Sequence, residues 1–107
     1  MRRVNEALRE VVTAAIASDL EDPRIGFVTV TSVDTSPDLR SARVYVSVLG
    51  DATERERTLA GLASSHGLIQ AVIARETRMK RTPTLSFHYD EGPERAVRLA
   101  RLLEEDS

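Results

Sequence analysis

The sequence contains no cysteine, and this absence removes several kinds of chemistry at once. Disulfide bonds, catalysis by a thiolate and cysteine-ligated metal sites are all excluded. The absence also suits a reducing compartment, so we expect a cytoplasmic location. No apolar run approaches the roughly 20 residues that a membrane-spanning helix needs, and we expect no membrane contact.

Aromatic residues make up only 4% of the chain, which also has just two histidines. The histidines and scattered carboxylates show no metal-ligand spacing, and no glycine-rich nucleotide loop is present. We therefore expect no metal and no cofactor. Ser86, His88 and Asp90 alternate along one predicted strand, and a hydrolytic dyad can be imagined there. Without an activating constellation or a pocket, polar residues on an open face are the better interpretation, which predicts that the chain is not an enzyme.

Positive charge is concentrated in one segment, although the formal net charge of the chain is −2. Residues 75–81 contain Arg75, Arg78, Lys80 and Arg81 against the single acid Glu76. A mildly acidic protein with one basic face can still bind nucleic acid, because the local field steers and holds the partner. The alternative is a solvated helix end, whose cations complement the helix dipole.

The periodicity of apolar residues predicts one domain, residues 1–107, of the α+β class. A length of 107 residues allows a single modest core. Helical periodicity extends over 2–20, and alternation indicates strands near 25–33, 42–49 and 85–90. A capping box at Thr53-Glu54-Arg55-Glu56 opens a second helix, and Gly92-Pro93 begins a last one. The order is α-β-β-α-kink-α-β-α, with a three-stranded sheet and helices on one of its faces.

The kink is predicted from a shift in helical phase. The apolar stripe of residues 59–63 and that of residues 68–73 point in directions about 80–100° apart. A bend at Gly67 accommodates both, because glycine is common where a helix bends or restarts. One straight amphipathic helix with a tolerated glycine, at a cost of about 1 kcal/mol, is the alternative.

Five short segments, in this order and spacing, carry a resemblance to a known family. They are Arg3-Val4-Asn5-Glu6, Asp22-Pro23-Arg24-Ile25, Ser36-Pro37-Asp38-Leu39, the strand from Ala42 to Gly50, and the stretch from Arg81 to Asp90. The chain resembles the ribosome-binding factor A family, bacterial ribosome-assembly factors with a type II KH-like domain. The resemblance covers nearly the whole sequence.

The resemblance also indicates a site for RNA. Ordinary KH domains clamp the nucleic-acid backbone with a GxxG loop between two helices, and this sequence has no GxxG. The family it resembles has an Ala-x-Gly kink at that place, which is Ser65-His66-Gly67 in this sequence. We expect side chains near the kink to hold phosphates. The polar strand faces offer few aromatic residues, Tyr45 and His88, so recognition should rely on backbone charge and RNA shape with limited base stacking. The candidate RNA-binding residues are Ser65, His66, Gly67, Arg75, Arg78, Lys80, Arg81, Arg3, Arg24 and Arg43.

The function implied by the resemblance is ribosome biogenesis. A member of this family is expected to be a monomer that binds the immature 30S small ribosomal subunit through 16S rRNA and assists late rRNA maturation. Two alternatives remain open from the residues alone. One is a generic KH-like module for single-stranded nucleic acid, with a steep salt dependence on any oligonucleotide. The other is a protein-interaction module, which would keep its affinity without the basic residues of 75–81.

Overall fold

Four helices and one three-stranded sheet form the part of the chain that the structure, a computed structural model, describes. It covers residues 2–18 and 20–105, with the backbone alone at 93 and 94. Position 19 of the predicted first helix lies outside the described residues. The predicted element order is confirmed. In chain order the elements are α1 (Arg2–Ser18), β1 (Val28–Thr35), β2 (Ser41–Val48), α2 (Ala52–Ser64), α3 (His66–Glu76), β3 (Thr84–Tyr89) and α4 (Gly92–Glu105).

Strand β2 is the centre of the sheet, whose order is β1-β2-β3. β1 pairs with β2 in antiparallel fashion, and Val28 lies opposite Val48. β3 runs parallel to β2, with Thr84 beside Ser41. A parallel neighbour requires a long crossover, which α2 and α3 supply.

The core lies on one face of this sheet, as the alternation along β2 predicts. Ala42, Val44, Val46 and Val48 are all buried. Helices α1, α2 and α3 contact the sheet, and they contribute the buried side chains Leu8, Val12, Ala15, Leu62, Ile69, Val72 and Ile73. The other face of β2 presents Arg43, Tyr45 and Ser47, which are exposed or half-buried.

Helix α2 begins earlier than predicted. Its N-cap is Asp51, whose carboxylate accepts the backbone N–H of Glu54 at 2.9 Å. The predicted capping box at Thr53 is therefore wrong. Aspartate is among the best N-cap residues, and Gly50, with a φ of 135°, lets the chain turn directly from β2 into this cap.

The predicted kink between α2 and α3 is present, but it lies at Ser65 and does not depend on Gly67. Ser65 adopts φ −94° and ψ 5°, in the bridge region that turn residues often occupy. Its N–H donates to the carbonyls of Gly61 and Leu62, both at 3.1 Å. Gly67 is already helical, and a Cβ added there would meet nothing within 4 Å. The attribution of the bend to glycine is wrong.

We expect Gly67→Ala to raise the free energy of unfolding by up to about 1 kcal/mol, because alanine is favoured over glycine in a helix. Gly61→Ala is the matched control on the neighbouring helix. A Cβ at Gly61 would approach Cγ1 of Ile25 to 2.7 Å and Cβ of Arg24 to 3.4 Å, so this change should cost about 1–3 kcal/mol. Urea unfolding of both variants measures the difference, and destabilisation by Gly67→Ala would contradict this account of the bend.

Helix α4 differs from the other three because all its described side chains are exposed. Its large apolar residues Val97, Leu99, Leu102 and Leu103 are each more than half exposed. Among the described residues, none of the helices has the length and hydropathy to cross a membrane. α4 is thus an amphipathic helix whose apolar face has little cover within the described chain.

Candidate nucleic-acid interface

The turn between β1 and β2 is fixed by a compact hydrogen-bond network. The N–H of Ser36 donates to the Ser41 carbonyl at 2.9 Å, and its hydroxyl donates to the Asp38 carboxylate at 2.6 Å. The N–H of Arg40 donates to the same carboxylate at 3.0 Å. The hydrogen bond from the Ser36 hydroxyl, and after it the one from the Arg40 N–H, lower the pKa of Asp38. Leu39 takes a positive φ of 62° within the turn, and Arg40 is held at its rim.

The loop before β3 meets this turn and brings further cations to it. The N–H of Thr84 donates to the Arg40 carbonyl at 2.9 Å. Arg40 Nε lies 4.0 Å from an Asp38 oxygen, and the charge of Arg81 also lowers the pKa of Asp38. Arg78 and Lys80 are exposed in the same loop.

Two apolar residues anchor this loop. Pro83 is fully buried, and Met79 packs against the core between the exposed Arg78 and Lys80. The basic side chains are therefore carried on a loop attached to the domain at two points.

The start of α1 reaches the same end of the sheet. The Asn5 side-chain oxygen accepts the N–H of Thr35, the last residue of β1, at 3.0 Å. Arg3, two residues earlier, is exposed at the same end of the sheet, although its side chain is about 200° around the helix from that of Asn5. Three segments distant in sequence thus place cations at one end of the sheet. We call this set the basic end; it consists of Arg3, Arg40, Arg78, Lys80 and Arg81.

The residues Ser65, His66 and Gly67 do not belong to the basic end. α3 has 11 residues, so at a rise of 1.5 Å per residue it separates the helix break from the basic loop by about 16 Å. His66 is also engaged locally: its Nδ1 lies 2.7 Å from the Ala63 carbonyl. A carbonyl can only accept, so Nδ1 carries the proton and the ring caps the end of α2. The helix break and the basic residues are close in sequence, which suggested one site, but α3 holds them apart in the structure.

Two other candidate arginines are held in ion pairs. Arg24 forms a two-pronged contact with Asp22, with Nη2–Oδ2 at 2.6 Å and Nε–Oδ1 at 3.1 Å. The Arg24 side chain is the main reason that the pKa of Asp22 falls to about 2. Arg75 Nε lies 3.2 Å from Glu76 Oε1. Much of the positive charge of both arginines is therefore compensated locally.

Arg43 lies on the open face of the sheet beside two aromatic rings. Its pKa is raised, chiefly by a hydrogen bond with the Tyr45 side chain. Tyr45 and His88 are direct neighbours on β2 and β3, and their ring centroids are 5.6 Å apart. The predicted residues of the open face are thus brought together, but on a different surface from the basic end.

The imagined hydrolytic arrangement is only partly assembled. Ser86 Oγ and His88 Nε2 are 2.9 Å apart. Asp90 instead accepts the N–H of Gly92 at 2.9 Å, the main cause of its lowered pKa. Across the described part of the chain, no group of three or more histidine, aspartate or glutamate residues could hold a metal ion.

Arg40 is the functional candidate that sequence reasoning missed. The turn Ser36-Pro37-Asp38-Leu39 was recognisable by composition, so its rim was a possible place for a contact. The proximity of Arg40 to Arg81 depends on the pairing of β3 with β2, and residue patterns do not specify which strands are neighbours.

Comparison with known proteins agrees with this architecture. The family model described as "Ribosome-binding factor A" matches residues 1–103. A ribosome-binding factor A from Anaeromyxobacter sp. (strain K) is 48% identical over 104 residues, which are 96% of this chain and 75% of that protein. The crystal structure of ribosome-binding factor A from Thermus thermophilus is similar, with a TM-score of 0.75 and 31% identity over 82% of this chain and 92% of the other.

A second Thermus thermophilus structure bears on the binding partner of that protein. It is a homology model of ribosome-binding factor A fitted into a cryo-EM map of a 30S complex. It has a TM-score of 0.68 and 31% identity, over 80% of this chain and 90% of the other. The family match, the sequence identity and the shared α+β fold agree, and the chain belongs to the ribosome-binding factor A family.

Proposed function

We propose that this chain is a ribosome-biogenesis factor that binds the immature 30S subunit through 16S rRNA and assists late rRNA maturation. One observation carries the RNA contact: the basic end gathers cations from the start of α1, the β1–β2 turn and the loop before β3. Cations on one rigid end suit the phosphates of a folded RNA. The Thermus relative fitted into a 30S complex supports the choice of partner.

The proposed mechanism is selective binding without chemistry. A protein that binds a partly folded rRNA conformer more tightly than the mature one shifts the population towards the former. Once maturation has removed the partly folded conformer, the tighter binding is lost and the protein leaves the subunit. On this proposal residues 1–107 act as one KH-like domain and as a cytoplasmic monomer, and the chain is not an enzyme.

The contacts are ranked by their surroundings. Arg3, Arg78, Lys80 and Arg81 would hold phosphates directly, and Arg40 would do so beside Asp38, an oxygen of which lies 4.0 Å from Arg40 Nε. Ser65, His66 and Gly67 would make a separate contact at the far end of α3. Arg24 and Arg75 must exchange a carboxylate partner for a phosphate, so we assign them a smaller share of the affinity.

Sedimentation with purified subunits tests the proposal. The chain should move with free 30S particles, and ultraviolet crosslinking should join the basic end to 16S rRNA. Cells that lack the protein should accumulate precursor 16S rRNA in free small subunits. Absence from the 30S fraction, together with normal rRNA processing in the deletion strain, would contradict the proposal.

A further inference from the structure

The open face of the sheet has a second feature suited to RNA, apart from the basic end. Tyr45 on the central strand and His88 on β3 are register partners. Their rings are 5.6 Å apart and inclined by 36°. His88 is exposed and Tyr45 is half-buried. Two adjacent aromatic rings on an uncovered central sheet are the arrangement on which unpaired bases stack in other RNA-binding domains.

The surroundings of the rings leave room for a planar ligand. On two sides the neighbours of Tyr45 are small: Ser32 is its partner on β1, and Ser47 follows it on the same face of β2. Beside the rings lies an open depression of about 430 Å³, within the 300–1,000 Å³ range of small-molecule sites. Ser86 Oγ, 2.9 Å from His88 Nε2, fixes the imidazole orientation.

Charge around the rings gives a direction to the bound strand. Arg43, two residues before Tyr45 on β2, offers a cation on the same face, next to its β1 partner Asp34. Arg43 lies outside the lining of the depression, which on the far side of the rings contains Asp90, Glu91 and Arg95, with Glu91 paired to Arg95 at 3.0 Å. Both ends therefore carry charges of both signs, but the acidic excess lies at the end with Asp90 and Glu91. The phosphate backbone of a ligand is repelled less on the Arg43 side.

We propose that this face binds one unpaired RNA nucleotide, with its base on the rings of Tyr45 and His88 and its phosphate beside Arg43. The proposal rests on the proposed function, since it supposes that the partner is RNA. This site would add a contact to a base, whereas the contacts proposed for the basic end are all to phosphates. The base would be taken from a single-stranded segment of the rRNA, because bases in a helix do not expose their faces.

The experiment compares two probes, an oligoadenylate of about ten nucleotides and an abasic oligonucleotide of equal length. Because stacking adds to phosphate attraction, we expect the wild-type chain to bind the oligoadenylate about 5- to 100-fold more tightly. Tyr45→Ile and His88→Ala should each remove most of this ratio of affinities for the oligoadenylate and the abasic oligonucleotide. Tyr45→Phe should keep the ratio because the ring remains. Phe27→Ala, which removes an aromatic ring that is 80% exposed elsewhere, should leave the ratio unchanged.

The outcomes separate this inference from the function on which it depends. If Tyr45→Ile and His88→Ala keep the wild-type ratio while the chain still binds 30S subunits, the nucleotide site is wrong and the proposed function stands. If the wild-type chain binds neither subunits nor oligonucleotides, both are wrong. Thermal unfolding of each variant checks its fold, and a folded Tyr45→Phe that loses the ratio would also overturn the stacking contact.

Discussion

Leu62→Ala should lower the free energy of unfolding by about 2–5 kcal/mol, the usual cost of removing a leucine from a rigid core. Leu62 is fully buried and belongs to the cluster that joins α2 to the sheet and to α3. The neighbouring backbone cannot collapse freely into the space, since Gly61 already packs against the 22–25 segment. Urea unfolding followed by circular dichroism measures the loss.

Leu68→Ala is the matched control for that change. The two leucines lie on either side of the kink, and sequence periodicity assigned both to apolar stripes. Leu68 is 48% exposed, so we expect its replacement to cost less than about 1 kcal/mol. Equal losses for the two variants would show that the kink does not turn Leu68 outwards.

Replacing Arg78, Lys80 and Arg81 together by glutamine should weaken binding to 30S subunits on the order of tenfold to a hundredfold at low salt. Each lost phosphate contact should also reduce the steepness of log Kd against log salt by about 0.7–0.9, or by about 2–3 for the three. Titrations between about 50 and 200 mM salt measure both quantities. The side chains are exposed, so the fold should be unaffected.

A second triple variant controls for net charge. Arg57, Arg98 and Arg101 are also exposed, on α2 and α4, and their replacement by glutamine removes the same number of charges. This variant should keep nearly the wild-type salt dependence if binding depends on the basic end. Equal weakening by both variants would indicate diffuse attraction, and no weakening by either would favour a protein-interaction surface.

Much of the fold could be predicted because it depends on local patterns. The alternation along β2 identified its buried face, and the helical phase shift identified the kink. The errors have local causes too. Thr53 resembled a cap, but Asp51 stands closer to the end of β2 and has the better side chain for it. Gly67 was credited with a bend because glycine permits one, whereas Ser65 makes the turn with ordinary negative φ.

The candidate site was harder to predict because it depends on distant pairings. Arg40 and Arg81 meet only through the parallel contact of β3 with β2, and no periodicity in either strand specifies that neighbour. Conversely, His66 and Arg78 are close in sequence, but they lie at opposite ends of the 11-residue helix α3. Positions along a helix translate directly into distance, so this separation could have been recognised once the helix was accepted.

The parallel pairing of β3 with β2 also determines when the protein can fold during its own synthesis. As the chain is synthesised, Ser41 emerges from the translating ribosome long before its strand partner Thr84. Until then the central strand β2 can pair only with β1, which leaves one edge of it open. Open strand edges invite pairing with other chains, and contacts between distant segments form slowly. A nascent chain that stalls before Thr84 should therefore aggregate or be degraded, and a stable folded fragment is not expected.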